Sequence, residues 1–559
     1  MAALATMIAS GTSWAQAPRL PGAAEPPRTR PLPEPPTGGT FDFSIETPRR
    51  SPVPRAVDEL RFELKDVVIV GAKVFTIEEL RPLWAPLIGK QVGLSDILNV
   101  ADAIEGKYRE RGYIISRAYV PPQRVGNGIF TINVVEGYVS ALAIEGGDAG
   151  VRSLVTAYVS PVLASRPLEL EPMERGLLLS NDLPGVAASG LLRPSPDQPG
   201  ASDLVVTVNQ TEFNGGVSVN NRGSAFTDLW TLIGDAEWNS PTGAGDQLSA
   251  NIQSAPDPTT RIQGTARYQH PLFTNGMTAS AYITVSNGAP AGGNLNALKL
   301  TTNSLAIGPR LSYPVIRSRA ENVSIDVGFT YQDSEIDSLG TELSHDHWRV
   351  LDVAVTYSQV GFLNGSTSAT FDVAQGLPWF GATENGSPSL SRPSARTDFT
   401  KLVANLKRIQ VIWGGLNFAL NAQGQYSFAP LVSGEQIAFG GDQSSATGNT
   451  LIGRGYDPSA ITGDSGIGGS FELRYDTRFP DYHLESVEPY VFYDTAKIWN
   501  KLGTAGLGNV VASYGGGIRL TLPYNIFVGG EFAQTLKSVP GSDNGKKQTR
   551  GLLNASIRF

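Results

Sequence analysis

From about residue 211 to Phe559 one pattern governs the chain: apolar and polar residues alternate one for one, segment after segment. Met277, Ala279, Ala281, Ile283 and Val285 alternate with Thr278, Ser280, Tyr282, Thr284 and Ser286; Leu553, Ala555, Ile557 and Phe559 alternate with Asn554, Ser556 and Arg558. Successive side chains of a strand point to opposite faces, so this period predicts strands with one apolar and one polar face. Sixteen segments carry it, near 213–222, 227–238, 246–254, 260–270, 276–287, 304–315, 321–333, 346–360, 363–373, 400–412, 416–428, 466–478, 486–496, 508–522, 525–537 and 547–559. Alternation alone favours a soluble sandwich, the commoner class. Length separates the two, because about 350 residues of antiparallel pattern is too much for one sandwich, and several segments reach the ~9–11 residues needed to cross a bilayer. An even strand number and the need to pair every edge in lipid favour closure. The expected fold class is a transmembrane β-barrel of 16 antiparallel strands over 211–559, preceded by two α+β units.

Composition removes several alternatives. Lys+Arg 44 against Asp+Glu 52 leaves a formal charge of −8, with no basic excess for nucleic acid. The absence of Cys excludes disulfides and thiolate metal sites. After residue 20 no uninterrupted apolar run reaches the ~18 residues of a membrane helix.

The first 210 residues read differently. Residues 1–17 resemble a secretory signal, although the usual basic start is missing. Residues 18–61 are a Pro-rich linker, expected to hold no helix. In 62–137 a strand (FELKDVVIVG) precedes a capping box at Thr76–Glu79, a helix with Leu94, Ile97, Leu98, Ala101, Ile104 and Tyr108 on one stripe, a stop at Gly112, and two further strands. A weaker copy of the unit occupies 138–210.

Chemistry-bearing constellations are scarce. His270, His345, His347 and His483 are the only histidines. His345 and His347 flank Asp346 in an expected turn before a strand, where a solvated turn outweighs a metal pair. The GDSGI run around Ser465 lacks the second glycine of a nucleophile elbow, and no Walker-type loop occurs. No catalytic residue, metal or cofactor is therefore assigned, and the chain is not expected to be an enzyme. A long connection, about 429–465, contains GNTLIGRGYDPSAITGDSG. Loops of this length need a reason. An arginine between glycines can enter a barrel lumen and fork onto a carboxylate of the wall; an exposed surface loop is the plainer reading.

These segments together resemble a known family. The run from Tyr108 to Ile114, PPQ at 121–123, GIFTINVVEGYVSALAIEG at 128–146 and MERGLLLSNDLPGV at 173–186 are similar to POTRA (polypeptide-transport-associated) domains. VNNRGS at 219–224 and NSPTGAGDQLS at 239–249 resemble the opening barrel strands of two-partner secretion translocators of the haemolysin-activator type. Arg454, Gly455 and Tyr456 match the lumen-loop motif of that superfamily, and GGSFELRYD (468–476) and PYVFYDTAKIW (489–499) match the wall strands that the loop addresses. The resemblance implies Arg454 as the loop arginine, Asp494 with Phe492 as its wall contact, and Glu472 as an additional contact. Period two agrees: Phe471, Leu473 and Tyr475 face lipid while Glu472 faces inward. Some members carry a plug helix ahead of the linker; the Pro-rich stretch here cannot form one.

The function implied is secretion of a partner protein, unfolded in the periplasm, through an outer-membrane barrel with periplasmic POTRA domains and without nucleotide hydrolysis. Outer-membrane lipid is the expected surroundings and nucleic acid is not a partner. An outer-membrane protein insertase, a passive porin and a barrel hydrolase are the alternatives.

Overall fold

The computed structural model describes residues 24–25, 41–46, 61–124, 127–196, 198, 200–441, 451–479, 484–502, 509–539 and 546–559. The signal segment expected over 1–17 lies outside the described residues, as does most of 18–61.

In the first unit, strand Ile129–Val135 pairs parallel with Asp66–Val70 and antiparallel with Arg117–Tyr119. Helix α1 (Ile77–Leu80) opens with the capping box: the Thr76 hydroxyl accepts from the Glu79 N–H while the Glu79 carboxylate accepts from the Thr76 N–H. Helix α2 (Leu94–Glu110) buries Ile97, Ala101, Ile104 and Tyr108 against Leu64, Val67, Trp84 and Phe130. Gly112, at φ +92°, turns the chain out of the helix in a conformation that a side chain disfavours.

The second unit lays α3 (Ala149–Val159) and α4 (Leu170–Asn181) on a sheet of Tyr138–Gly146, Ala201–Gln210 and Val186–Pro194. A fourth strand comes from within the expected linker: Asp42–Ile45 pairs parallel with Val186–Pro194, and Phe41, Phe43 and Ile45 pack on the unit's core. This departs from the reading of 18–61 as linker alone. The apolar alternation of FDFSI, only five residues long, is overshadowed in sequence by the surrounding prolines.

Sixteen strands, from Phe213–Asn220 to Thr549–Arg558, close into an antiparallel barrel; the twelfth, Ser465–Tyr475, resumes after a break as Thr477–Phe479. Closure rests on pairs from Gly216↔Arg558 to Asn220↔Asn554, extended by reciprocal backbone bonds between Gly215 and Phe559 at 2.9 and 3.0 Å. The two faces separate as the alternation dictates. Ile325, Val327, Leu351, Val353 and Val355 lie exposed outside, whereas Ser324, Asp326, Asp352 and Thr356 are buried inside. Inward charges pair across the wall, as in the 2.8 Å contact between Arg310 and Asp352.

The hairpin of Glu321–Ser338 and Thr341–Val360 is longer than a bilayer crossing requires. His345 and His347 therefore lie in a strand, not in the expected turn, because pairing continues beyond the apolar band. Between the second unit and the barrel, Arg317 forks onto Asp182 at 2.6 and 2.8 Å. Asp148, which caps α3 by accepting from the Val151 N–H, also accepts from the Ser240 hydroxyl at 2.7 Å. NSPTGAGDQLS thus contributes a docking turn as well as a barrel strand. Ala24 is buried against Leu295, Leu300 and Ile336, and Glu25 shares a cavity with the inward residues Ser304, Gln332, Asp346 and Trp348. Ala24 and Glu25 of the Pro-rich stretch therefore lie within the barrel, and the residues on either side of them, where a plug helix was considered, lie outside the described residues.

Candidate functional site

Three barrel strands bring carboxylates to one inner patch. Glu472 on Ser465–Tyr475, Asp494 on Leu484–Trp499 and Glu531 on Ile526–Thr535 are all buried. Antiparallel register sets Ser470 beside Asp494 and Glu472 beside Phe492. Gly515, on the intervening strand Val510–Leu522, leaves room for the Phe492 ring; a Cβ there would stand 2.7 Å from it.

The long connection folds back to this patch. Ile437–Phe439 and Ile461–Gly463 pair as a short antiparallel ladder, and Ile437, Phe439, Ile452, Tyr456 and Ile461 pack against Ala496, Ile498 and Val511 of the wall. Residues 442–450 of the loop lie outside the described residues. Gly453, at φ +89°, bends the backbone so that its own N–H and that of Arg454 donate to Asp494 Oδ2, at 3.1 and 3.0 Å.

The Arg454 guanidinium then uses all its donors. Nε and Nη2 fork onto Asp494 at 3.0 and 2.8 Å. Nη1 donates to Glu472 at 2.5 Å and Glu531 at 3.2 Å, and Nη2 also donates to the Ser470 hydroxyl at 2.9 Å. The guanidinium carbon sits 3.5 Å from the Phe492 ring centroid, a cation–π placement. Burial opposes the charge, but Asp494, then Glu531 and Glu472, outweigh it and raise the arginine's pKa above its ordinary value.

One cation does not balance three buried carboxylates, and the surroundings supply more. Arg519 and Arg474 pair with Glu472 at 3.1 and 2.9 Å, and Arg519 also pairs with Glu488. Arg222, from VNNRGS, reaches Glu531 at 3.3 Å, and the Tyr490 hydroxyl donates to the same carboxylate at 2.6 Å. Only Asp494 depends on Arg454 as its sole cationic partner among the described residues.

The other two motif residues fix the loop differently. Gly455 has no space for a side chain, since a Cβ would stand 2.9 Å from the Thr535 methyl and 3.2 Å from Ser513 Cβ. The buried Tyr456 hydroxyl lies 2.9 and 2.7 Å from the Ala512 and Lys537 carbonyl oxygens, sharing its one proton between them, and accepts from the Ala512 N–H at 3.2 Å. Further along, Asp464 accepts from Arg392, the Leu431 N–H and the Lys501 N–H, while Glu435 pairs with Lys401 at 2.7 Å and accepts from the Trp348 ring N–H. Ser465 accepts from the Ser427 N–H at 3.0 Å within the wall.

The structure thus gathers Arg454, Asp494, Phe492 and Glu472, with Gly455 and Tyr456 alongside. Sequence reading missed Glu531, Ser470, Arg519 and Arg222. Their inward parity was readable, but which distant strands share a height inside the barrel depends on its stagger.

A wall greasy outside and ionic inside is satisfied only in a membrane, so the fold and its fastened loop define an outer-membrane transport barrel with POTRA units in the periplasm. Residues 200–520 match the family described as haemolysin secretion/activation protein ShlB/FhaC/HecB, and residues 62–137 match the POTRA domain of ShlB type. The chain belongs to that family. It is 25% identical over 479 residues to the heme/hemopexin transporter protein HuxB of Haemophilus influenzae strain 86-028NP, covering 82% of this chain and 79% of that protein. It is 26% identical over 405 residues to the hemolysin transporter protein ShlB of Serratia marcescens, covering 70% and 69%. CdiB from Escherichia coli has a similar fold, with a TM-score of 0.66 at 20% identity over 92% of this chain and 93% of that one.

Proposed function

We propose that this protein secretes one partner protein, delivered unfolded to the periplasm, through its barrel and without hydrolysing nucleotide. The observation that carries the reading is the loop fastened to the polar inner wall by Arg454, whose guanidinium and Asp494 partner are both buried. In this reading the Arg454–Asp494 fork holds the resting state and shifts to let an extended chain pass. Recognition comes first, by strand addition, in which main-chain hydrogen bonds accept many sequences. An available edge supports this. Among the described residues the first strand of each unit pairs on one side only, Asp66–Val70 with Val68 and Val70 exposed and Tyr138–Gly146 in the second unit, while the chain's own Asp42–Ile45 covers the opposite edge, Val186–Pro194. The names of the relatives, a heme/hemopexin transporter and a hemolysin transporter, support a polypeptide cargo.

The test is export. The chain is expressed with a large exported protein encoded beside it, and cargo is measured in the medium with the POTRA units intact or deleted. Secretion that needs both units supports the proposal. Loss of many outer-membrane barrels on depletion points instead to an insertase, conductance with no cargo phenotype to a porin, and lipid turnover that survives the deletion to a hydrolase.

A further inference from the structure

On the outer wall, beyond the apolar band, the long hairpin carries a cluster for which secretion has no use. His345 and His347 stand two apart on Thr341–Val360 and so share its outward face; Asp333 is the cross-strand partner of His347, and Glu335 that of His345. His345 Nε2 lies 3.0 Å from Asp333 Oδ1, and His347 Nδ1 lies 2.8 Å from Asp333 Oδ2. The two rings are 4.1 Å apart. Two imidazoles and a carboxylate thus converge with one ligand atom each, all within 4.8 Å of one another.

We propose that Asp333, His345 and His347 bind a borderline divalent transition-metal cation of the zinc or nickel kind. Nitrogen and oxygen ligands about 2.0–2.2 Å from zinc in tetrahedral array lie roughly 3.3 Å from each other. The two nitrogen-to-carboxylate spacings, 3.0 and 2.8 Å, fall a few tenths of an ångström below this. His347 Nδ1 is buried and makes no well-formed hydrogen bond despite the nearby carboxylate, so a proton does not satisfy this nitrogen well. Imidazole selects zinc, nickel or copper over calcium and magnesium, which prefer all-oxygen shells.

The surroundings suit a held ion. The three side chains keep 27 to 31% of their exposure, leaving a path for entry. The backbone beneath is rigid, because the following loop pairs with it: the Thr383 N–H donates to the His347 carbonyl at 2.8 Å and the His345 N–H donates to the Ser389 carbonyl at 2.7 Å. Glu342, 3.7 Å from His345 Nδ1, and Glu335 add negative charge at the rim. Arg349, two residues beyond His347, is turned onto the Tyr331 ring, 3.4 Å from its centroid, and donates to the Phe380 carbonyl. A bound ion would tie the two strands of the hairpin together outside the membrane, away from the Arg454 site.

The experiment uses the full chain, purified in detergent without a histidine tag, and measures Zn²⁺ uptake by calorimetry and elemental analysis. One ion per chain is expected. Affinity should fall at least about tenfold in H345Q, H347Q and D333N, and uptake should vanish in H345Q/H347Q, while H270Q binds as the parent does. Calcium in large excess should not displace the ion. Heat-modifiable mobility on gels checks that each barrel is folded. Absence of uptake by the parent, undiminished uptake by a folded H345Q/H347Q variant, or ready displacement by calcium overturns the proposal.

Discussion

Replacing Arg454 by alanine separates a structural fastener from a decorative contact. Glu472 keeps Arg519 and Arg474, and Glu531 keeps Arg222 and the Tyr490 hydroxyl. Asp494 keeps only backbone N–H donors from Gly453 and residue 454. The cost therefore concentrates on one buried carboxylate deprived of its cation, about 3–5 kcal/mol when the pair is fully desolvated. The same pair in water would be worth only about 0–1 kcal/mol. If the loop opens before the barrel unfolds, the larger figure raises its open population roughly 10²- to 10⁴-fold. Limited proteolysis within 429–465 measures that population directly when cleavage is slow relative to closing. The companion variants are Asp494→Ala and the double replacement. Removing Asp494 also removes the stranded charge, so the double variant should be far less destabilised than the sum of the singles, and cargo export should follow the same non-additivity. Strictly additive losses would refute the pairing as the loop's fastener, and a loss under 1 kcal/mol would refute its dryness.

Three smaller tests follow from other contacts. Tyr456→Phe removes a hydroxyl that serves the Ala512 and Lys537 carbonyls and should cost about 1–3 kcal/mol of loop stability, read as faster proteolysis of the same segment. Gly455→Ala forces a methyl against Thr535 and Ser513 and should cost about 1–3 kcal/mol, lowering the thermal transition with little change in strand content by circular dichroism. Asp182→Asn weakens the fork that holds the second unit to Arg317; distances between spin labels on that unit and the barrel should broaden while both parts remain folded.

Much of this architecture was legible because period two assigns each strand residue to a face before any fold is known. That rule put Glu472, Phe492 and Asp494 inside and Phe471, Leu473 and Tyr475 outside, where the structure has them. Helix α2 was equally readable from its stripe and from Gly112. Glu531 and Arg222 were not, since a barrel's stagger decides which inward residues meet, and stagger is written in no local segment. Asp42–Ile45 escaped notice because prolines on either side dominate its composition. The alternation marks a segment only from about 346, which leaves His345 in a turn, whereas the strand begins at Thr341 because pairing with Glu321–Ser338 continues to the hairpin's tip.

The strand Asp42–Ile45 bears on the order of assembly. Its partner residues lie 147 positions later in the chain, so Asp42–Ile45 cannot be anchored until the second unit is made, while Ala24 ends up inside a tube whose wall is complete only when Phe559 arrives. Either the staves close around a leader already lying among them, or the leader is fed into a finished cylinder from its periplasmic mouth. In the second case the segment that carries Ala24 makes, ahead of anything else, the entry proposed above for a cargo.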